Sequence, residues 1–328
     1  MGIRHLNKYL KEHASSAIKQ IQLSDLSGKK IAIDISIYMY KFATDNCLIE
    51  NMYLMLSIFR ANNIVPVFIF DGKPPPEKYQ LLKKRRTDKQ YAEQEYTKLQ
   101  NLLENNQMDV LKKREIMNNM DALKKNFVSL KKTDIENVKN LIRHYGATYY
   151  DAPEEADAVC ALLSVENKVW ACLSEDTDMF VYGCPRVLRY LSLWNQQATL
   201  YDGSTILSSL NMTQKELRQI CILSGTDYNF NKEETNSLSY SMKKFAKFNE
   251  EKTENNGNID YYEWLKKNDS QMTYDFDILN KIYTMFDLEN EYNKLEVFKK
   301  IKIENGPMNK EEIKKILWMD GFIFPFQY

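Results

Sequence analysis

The sequence predicts an α/β protein with a mostly parallel central sheet flanked by helices, and three observations predict it. Three short apolar runs, at 30–34, 64–71 and 168–173, read as buried strands. Helix-prone segments separate them, the alternation that builds parallel sheets. Each run also delivers carboxylates at its C-terminal end: Asp34, Asp71, and Asp176 with Asp178 in the stretch Ser174-Glu175-Asp176-Thr177-Asp178. Ligands of open α/β sheets bind in the crevice beyond the carboxyl ends of the strands.

Taken in order, residues 2–13 form an amphipathic helix with Ile3, Leu6, Tyr9 and Leu10 on one side. The first strand ends at Asp34, and a helix begins over 36–42. Tyr38 and Tyr40 lie beside the first carboxylate, where each suits either core packing or stacking on a base. A second apolar helix spans 51–61 and leads into the strand that ends at Asp71. Gly72-Lys73-Pro74-Pro75-Pro76 then stops regular structure. Residues 77–132 contain neither Gly nor Pro and read as helical. From 78 to 132 there are 14 Lys/Arg against 7 Asp/Glu, although the whole chain balances at 45 each. A helix over 133–144 ends near Gly146, a C-terminal cap. A short strand follows at 147–150.

Pro153 suits the first position of the next helix, with Asp151 as its cap. That helix carries Glu154, Glu155 and Asp157 and leads into the third Asp-delivering strand. Segments 187–191 and 198–201 read as an edge hairpin. Thr213 and Glu216 form a capping box for a helix over 213–223, and Asp227 follows in the turn Ser224-Gly225-Thr226-Asp227-Tyr228. Beyond it the chain is Lys/Asn-rich and helix-prone, with helices expected over 261–265, 276–286 and 311–319. A polar loop is expected at 249–258, and an apolar tail at 321–326 tucked into the body. The chain divides into 1–76, 77–132, 133–228 and 229–328.

A strand ending in one Asp is ordinary, because loops begin there. Three such strands plus an Asp-x-Asp pair exceed that reading. Carboxylates sharing one crevice repel strongly, and divalent cations relieve the repulsion. An oxygen-only donor set suits Mg²⁺ or Mn²⁺ rather than zinc. The five cysteines show no CxxC pair and the three histidines no zinc spacing, so the cysteines read as reduced core residues. The zero net charge excludes a globally basic nucleic-acid binder. A basic arm beside an acidic pocket is instead what a metal-dependent phosphodiesterase needs. No signal peptide and no apolar run of membrane-spanning length are read, so an intracellular chain is expected.

The motifs Met-Gly-Ile at the start, KKIAIDIS, FIFDGKPP, DAPEEADA, SEDTDMF and CILSGTDY, taken together over residues 1–230, resemble the flap endonuclease (XPG-type) family of structure-specific 5′ nucleases. The short length is similar to family members from large DNA viruses. The resemblance implies a PIN-like 5′-nuclease core, a basic helical arch over 77–132 and a helical C-terminal region. It implies two Mg²⁺ ions, with Mn²⁺ as substitute, held by Asp34, Asp71, Glu155, Asp157, Asp176, Asp178 and Asp227. Asp34, Asp71, Asp176 and Asp178 would then be catalytic, joined by the arch pair Lys78 and Arg85. DNA contacts are implied for Gly2, Tyr40, Lys78, Lys83, Lys84, Arg85 and Arg86. The implied substrate is branched or flapped DNA in replication, recombination or repair.

Three departures stand out. Asp157 replaces the second glutamate of the family's acidic pair. Helical spacing by itself would pair Asp157 with Glu154, whereas the motif selects Glu155. Residues 229–248 hold no glycine, where the family has a glycine-rich turn that grips duplex backbone and a potassium ion. The residues up to 328 carry no sliding-clamp docking peptide; replication and recombination proteins are the other candidate partners. Competing functions are a 5′–3′ exonuclease, an RNA-cutting relative, and a non-catalytic scaffold at DNA junctions. The expected location is the nucleus, or a cytoplasmic replication site for a viral chain.

Overall fold

A computed structural model describes residues 2–105, 109–229, 238–254, 259–269, 275–288 and 302–323. Seven strands form one sheet in the order β1-β7-β6-β5-β2-β3-β4. They are β1 (Ile18–Gln22), β2 (Lys30–Asp34), β3 (Val65–Phe70), β4 (Thr148–Asp151), β5 (Ala171–Leu173), β6 (Arg186–Ser192) and β7 (Gln197–Asp202). Strands β4, β3, β2, β5 and β6 run parallel; β7 pairs antiparallel with β6, and β1, at the edge, pairs antiparallel with β7 and so points the same way as the five.

The central parallel strands β2, β3 and β5 are buried on both faces, so they read as continuous apolar runs. Alternate residues still serve different cores. Ala32, Val67, Ile69, Cys172 and Val187 pack on one face of the sheet. Their neighbours Ile31, Ile33, Phe68, Phe70, Leu173 and Leu188 pack on the other. The first face is covered by α1 (Leu6–His13), α7 (Ala156–Val165), α8 (Asp178–Tyr182) and α10 (Gln214–Ser224), with α11 (Leu238–Glu254), α12 (Tyr261–Asn268) and α13 (Phe276–Met285) behind them. The second is covered by α2 (Ser36–Thr44), α3 (Leu48–Ala61), α6 (Lys132–His144) and α14 (Lys310–Met319). A short α9 (Gly203–Ser209) follows β7. The result is a three-layer α/β/α body. All five cysteines are free thiols, four of them buried.

The basic segment forms α4 (Tyr79–Asn105) and α5 (Val110–Phe127). Tyr96 meets Phe127 ring to ring at 5.1 Å, and Lys89 Nζ donates to the Val128 carbonyl at 3.2 Å. The middle of α4 therefore lies beside the end of α5, in an antiparallel pair.

Several expected elements are corrected. Asp151 ends β4 and caps nothing, and α7 starts at Ala156 rather than at Pro153. The Ala156 N–H is satisfied by Asp71 Oδ1 at 2.9 Å, a contact across 85 residues that local sequence does not carry. Residues 249–254, expected as loop, continue α11. In the tail, Phe322 packs against Tyr53 and Ile323 is exposed, while 324–326 lie outside the described residues. The Thr213–Glu216 capping box is present, as is the left-handed Gly146 (φ +78°) just past α6.

Candidate active site at the sheet switch point

The chain leaves β2 towards β3 on one side and β5 towards β6 on the other, so β2 and β5 lie side by side at the topological switch point. The crevice there receives Asp34 from β2 and the 174–178 turn from β5. Asp71 arrives from the end of β3, and Glu155 and Asp157 from the start of α7. Six of the seven expected carboxylates line one cleft of about 370 Å³: Asp34, Asp71, Glu155, Asp157, Asp176 and Asp227. Asp178 sits just behind, and its N–H donates to Asp176 Oδ1 at 2.9 Å. Glu154 also borders the cleft. Glu155 is the extended residue before α7 (φ −85°, ψ 143°), so helical spacing does not decide between it and Glu154.

Local hydrogen bonds aim these groups. Ser174 Oγ donates to Asp34 Oδ2 at 3.1 Å, and the Ser36 N–H to Asp34 Oδ1 at 3.3 Å. Ser36 Oγ donates to Asp71 Oδ2 at 2.5 Å. Tyr228 Oη donates to Glu155 Oε2 at 2.6 Å. Gly2 (φ +74°) lies so close to the 176–178 turn that a Cβ there would overlap Asp176 Oδ1, Thr177 Oγ1 and Asp178 Oδ1. Tyr40, about half exposed, lies at the rim.

The electrostatics follow from burial and crowding. Burial, then the charges of Asp71 and Asp176, pushes the Asp34 carboxyl up to about 7. Burial followed by neighbouring carboxylates drives Asp157 and Asp178 well above the usual range. Asp176 is raised mainly by burial, although the N–H of Asp178 opposes the shift. Two cations counter this charge. Lys78 is buried, with Nζ 2.5 Å from Glu155 Oε1 and 3.6 Å from Asp227 Oδ2. Burial disfavours its charge, but Glu155 and Asp227 more than offset that and raise its pKa. Arg85 Nη2 reaches Asp227 Oδ2 at 3.0 Å from a half-exposed position. Lys83, Lys84 and Arg86 are exposed on α4 and do not line the cleft.

The donors fit a hard divalent ion by chemistry. They are all oxygens, and the buried Asp157 Oδ1 and Asp178 Oδ1 have no hydrogen-bond partner. Among the described residues, however, no three His, Cys, Asp or Glu side chains close tightly enough around one point to hold an ion as they stand. Lys78 and Tyr228 hold Glu155, Ser36 and Ala156 hold Asp71, and Lys78 and Arg85 hold Asp227.

Some residues of the site carry no signal in the sequence. Glu175 belongs to the acidic motif but turns away from the cleft, and its Oε1 accepts from the Tyr190 N–H at 2.6 Å. Arg189 and Asn7, which also meet there, belong to no motif. Only the apolar neighbours of Arg189 within β6, Leu188 and Leu191, mark one of them. No helix among the described residues is long and apolar enough to cross a membrane.

A family model described as the XPG N-terminal domain matches residues 1–92, and one described as the XPG I-region matches residues 146–227. Flap endonuclease 1 of Lodderomyces elongisporus is 33% identical over 247 residues, covering 70% of this chain and 61% of that protein. The Candida albicans flap endonuclease 1 is 34% identical, covering 70% and 63%. The chain thus spans about three fifths of the length of these curated relatives. Among solved structures, the catalytic core of Rad2 in complex with a DNA substrate aligns with a TM-score of 0.62 at 19% identity, covering 98% of this chain and 94% of that one. Flap endonuclease-1 from Methanococcus jannaschii aligns at 0.53 and 22%, covering 91% and 95%. At these identities the structural likeness speaks for the fold.

Proposed function

The chain belongs to the family of XPG-type and flap endonucleases, and from that premise we propose that it is a Mg²⁺-dependent, structure-specific 5′ nuclease that hydrolyses phosphodiester bonds at single-strand/double-strand DNA junctions. The observation that carries this reading is the crevice between β2 and β5. Carboxylates from five separate segments meet there, two of their oxygens are buried without partners, and Lys78, just before α4, and Arg85, on it, stand over them. The names of its relatives agree with it.

Asp34, Asp71, Glu155, Asp157, Asp176, Asp178 and Asp227 would hold the ions. A bound pair of Mg²⁺ ions supplies Lewis-acid polarisation of the phosphate and a more acidic water. The chain's own part is to aim oxygens, exclude water and place positive charge. Ser36 and Ser174 fix the rotamers of Asp71 and Asp34. Lys78 keeps the cleft from carrying the full charge of its acids. Arg85, half exposed on Asp227, can exchange that partner for a phosphate oxygen. Tyr40 at the rim offers an aromatic face to a base. Lys83, Lys84 and Arg86, with the rest of the α4–α5 pair, give a cationic surface for a single-stranded 5′ flap, and Gly2 lets the amino terminus approach the site closely. The place of action follows the DNA: the nucleus, or a cytoplasmic replication site for a viral chain.

The test uses a labelled double-flap DNA, with nicked duplex and RNA beside it, in Mg²⁺, Mn²⁺ and EDTA. Cutting near the flap base in Mg²⁺, lost in EDTA and in the Asp176→Asn/Asp178→Asn variant, is the expected result. Binding without cutting in either metal overturns the nuclease in favour of a junction scaffold. Preferential loss of nicked duplex or RNA moves the reading to an exonuclease or an RNA-cutting enzyme.

A further inference from the structure

We propose that Arg189 is a positioning residue for the metal-binding turn, clamping the amino-terminal helix and the Asp176–Asp178 segment into one fixed arrangement; this rests on the nuclease reading of the cleft. Arg189 lies on β6 and is only 5% exposed. Its Nη2 donates to the Glu175 carbonyl at 2.7 Å, and its Nη1 to Asn7 Oδ1 at 2.8 Å. The guanidinium lies against the rings of Tyr190 and Tyr201, at 5.1 and 5.6 Å. Asn7, on α1, is held from three sides. Besides Arg189, Tyr201 Oη donates to its Oδ1 at 2.7 Å, and its Nδ2 donates to Tyr190 Oη at 2.7 Å. The Tyr190 N–H closes the ring onto Glu175 Oε1.

Two features show that this arrangement does more than fill space. Burying a guanidinium carries a desolvation penalty that a well-packed apolar side chain would avoid. The strand is also distorted at this point. Tyr190 is left-handed (φ +54°) and the β6–β7 register breaks between Arg189 and Ser192. Such irregularities are energetically costly and are found where a strand re-aims a side chain beside a functional site. Both ends of the clamp lead to the same place. Glu175 directly precedes Asp176, and Asn7 anchors the helix whose preceding Gly2 rests on Asp176, Thr177 and Asp178. Arg189 therefore acts on the carboxylates through the backbone on either side of them.

The test compares Arg189→Met, Asn7→Ala and Asn7→Asp, with Arg186→Met as control. Arg186 lies at the other end of β6, where it stacks on Trp170. Mn²⁺ affinity is measured without DNA, by electron paramagnetic resonance of free Mn²⁺, alongside kcat and KM on flap DNA. Supporting groups of this kind typically contribute 10–100-fold to metal affinity or activity. Arg189→Met and Asn7→Ala are expected to weaken Mn²⁺ binding by about that factor and to lower kcat with KM unchanged. Asn7→Asp, which can accept the same bonds from Arg189 and Tyr201, is expected to retain the affinity, and Arg186→Met to leave it unaltered. Parental Mn²⁺ affinity in folded Arg189→Met overturns the proposal. Should that variant fail to fold, equal affinities in Asn7→Ala and Asn7→Asp do the same. If the parent protein cuts no DNA, the nuclease reading falls, and the Mn²⁺ comparison still decides the clamp.

Discussion

Replacing Asp34 by Asn should stabilise the metal-free protein at alkaline pH while removing cleavage. The Asp34 carboxyl stands at about 7 in the fold against an ordinary 3.8. Its folded pKa lies above its unfolded one, so the folded state binds the proton more tightly. Its contribution to stability is therefore fully present below about pH 4 and is lost as pH rises through about 7. At pH 8 the fold holds an ionised carboxylate at a cost of about 4 kcal/mol, from roughly 3 pKa units at 1.36 kcal/mol each. Asn removes that cost. Its oxygen can still accept from Ser36 or Ser174, and its N–H groups can face Asp71 and Asp176. With unfolding entropy near 2.1 cal/mol/K per residue, 328 residues convert 4 kcal/mol into a rise in Tm of about 6 °C. The assay is thermal unfolding in EDTA at pH 8 and pH 5, parent against variant. The rise should shrink at pH 5, and Mg²⁺ should lift the parent's Tm more than the variant's. A variant that melts lower than the parent at pH 8, or a shift equal at both pH values, would refute the reasoning.

Two further outcomes are expected. Lys78→Met leaves Glu155 and Asp227 without their buried cation; Tm in EDTA should fall, Mg²⁺ should restore more of it than it adds to the parent, and cleavage should drop about 10²–10³-fold. Gly2→Ala places a methyl group against Asp176 and Asp178 from a left-handed backbone; kcat should fall by about 10², the typical consequence of moving catalytic groups by 1 Å. The first is checked by thermal melts with and without Mg²⁺, the second by single-turnover cleavage at saturating protein.

What is legible in the sequence is whatever local composition determines. Strands β2 and β3 and the hairpin β6–β7 announce themselves as apolar runs, although β1 outside β7 takes the hairpin off the sheet edge expected for it, and the carboxylates at the strand ends point to the crevice through their positions in the chain alone. What stays hidden depends on distant partners. β1 reads Ile-Lys-Gln-Ile-Gln, with no alternation to mark it, and exists through its antiparallel pairing with β7, Ile18 opposite Tyr201. α8 is five residues long and buried throughout, too short to show a period. The start of α7 is displaced because Asp71, and not a local cap, receives the first free N–H. The same cause hides Asn7 and Arg189, which meet only after β6 and α1 have folded against each other. Asp157 is legible as an acid, but the lack of a hydrogen-bond partner for its Oδ1 is not.

Lys78, just before α4, and Arg85, on it, counter the acids in different ways, and the difference bears on how a phosphate would enter. Lys78 sits at 8% side-chain exposure with Glu155 at 2.5 Å, whereas Arg85 sits at 46% with Asp227 at 3.0 Å. Removing one partner from a buried pair costs about 3–5 kcal/mol, because the other charge stays behind in low dielectric. A half-exposed pair is worth at most about 1 kcal/mol, since water replaces the lost partner. An incoming phosphate can therefore draw Arg85 away from Asp227 at little expense, while drawing Lys78 from Glu155 would strip the cleft of its fixed counter-charge. On the proposed function, Arg85 is the cation that meets the DNA, and Lys78 stays with the acids and keeps them folded together until it arrives.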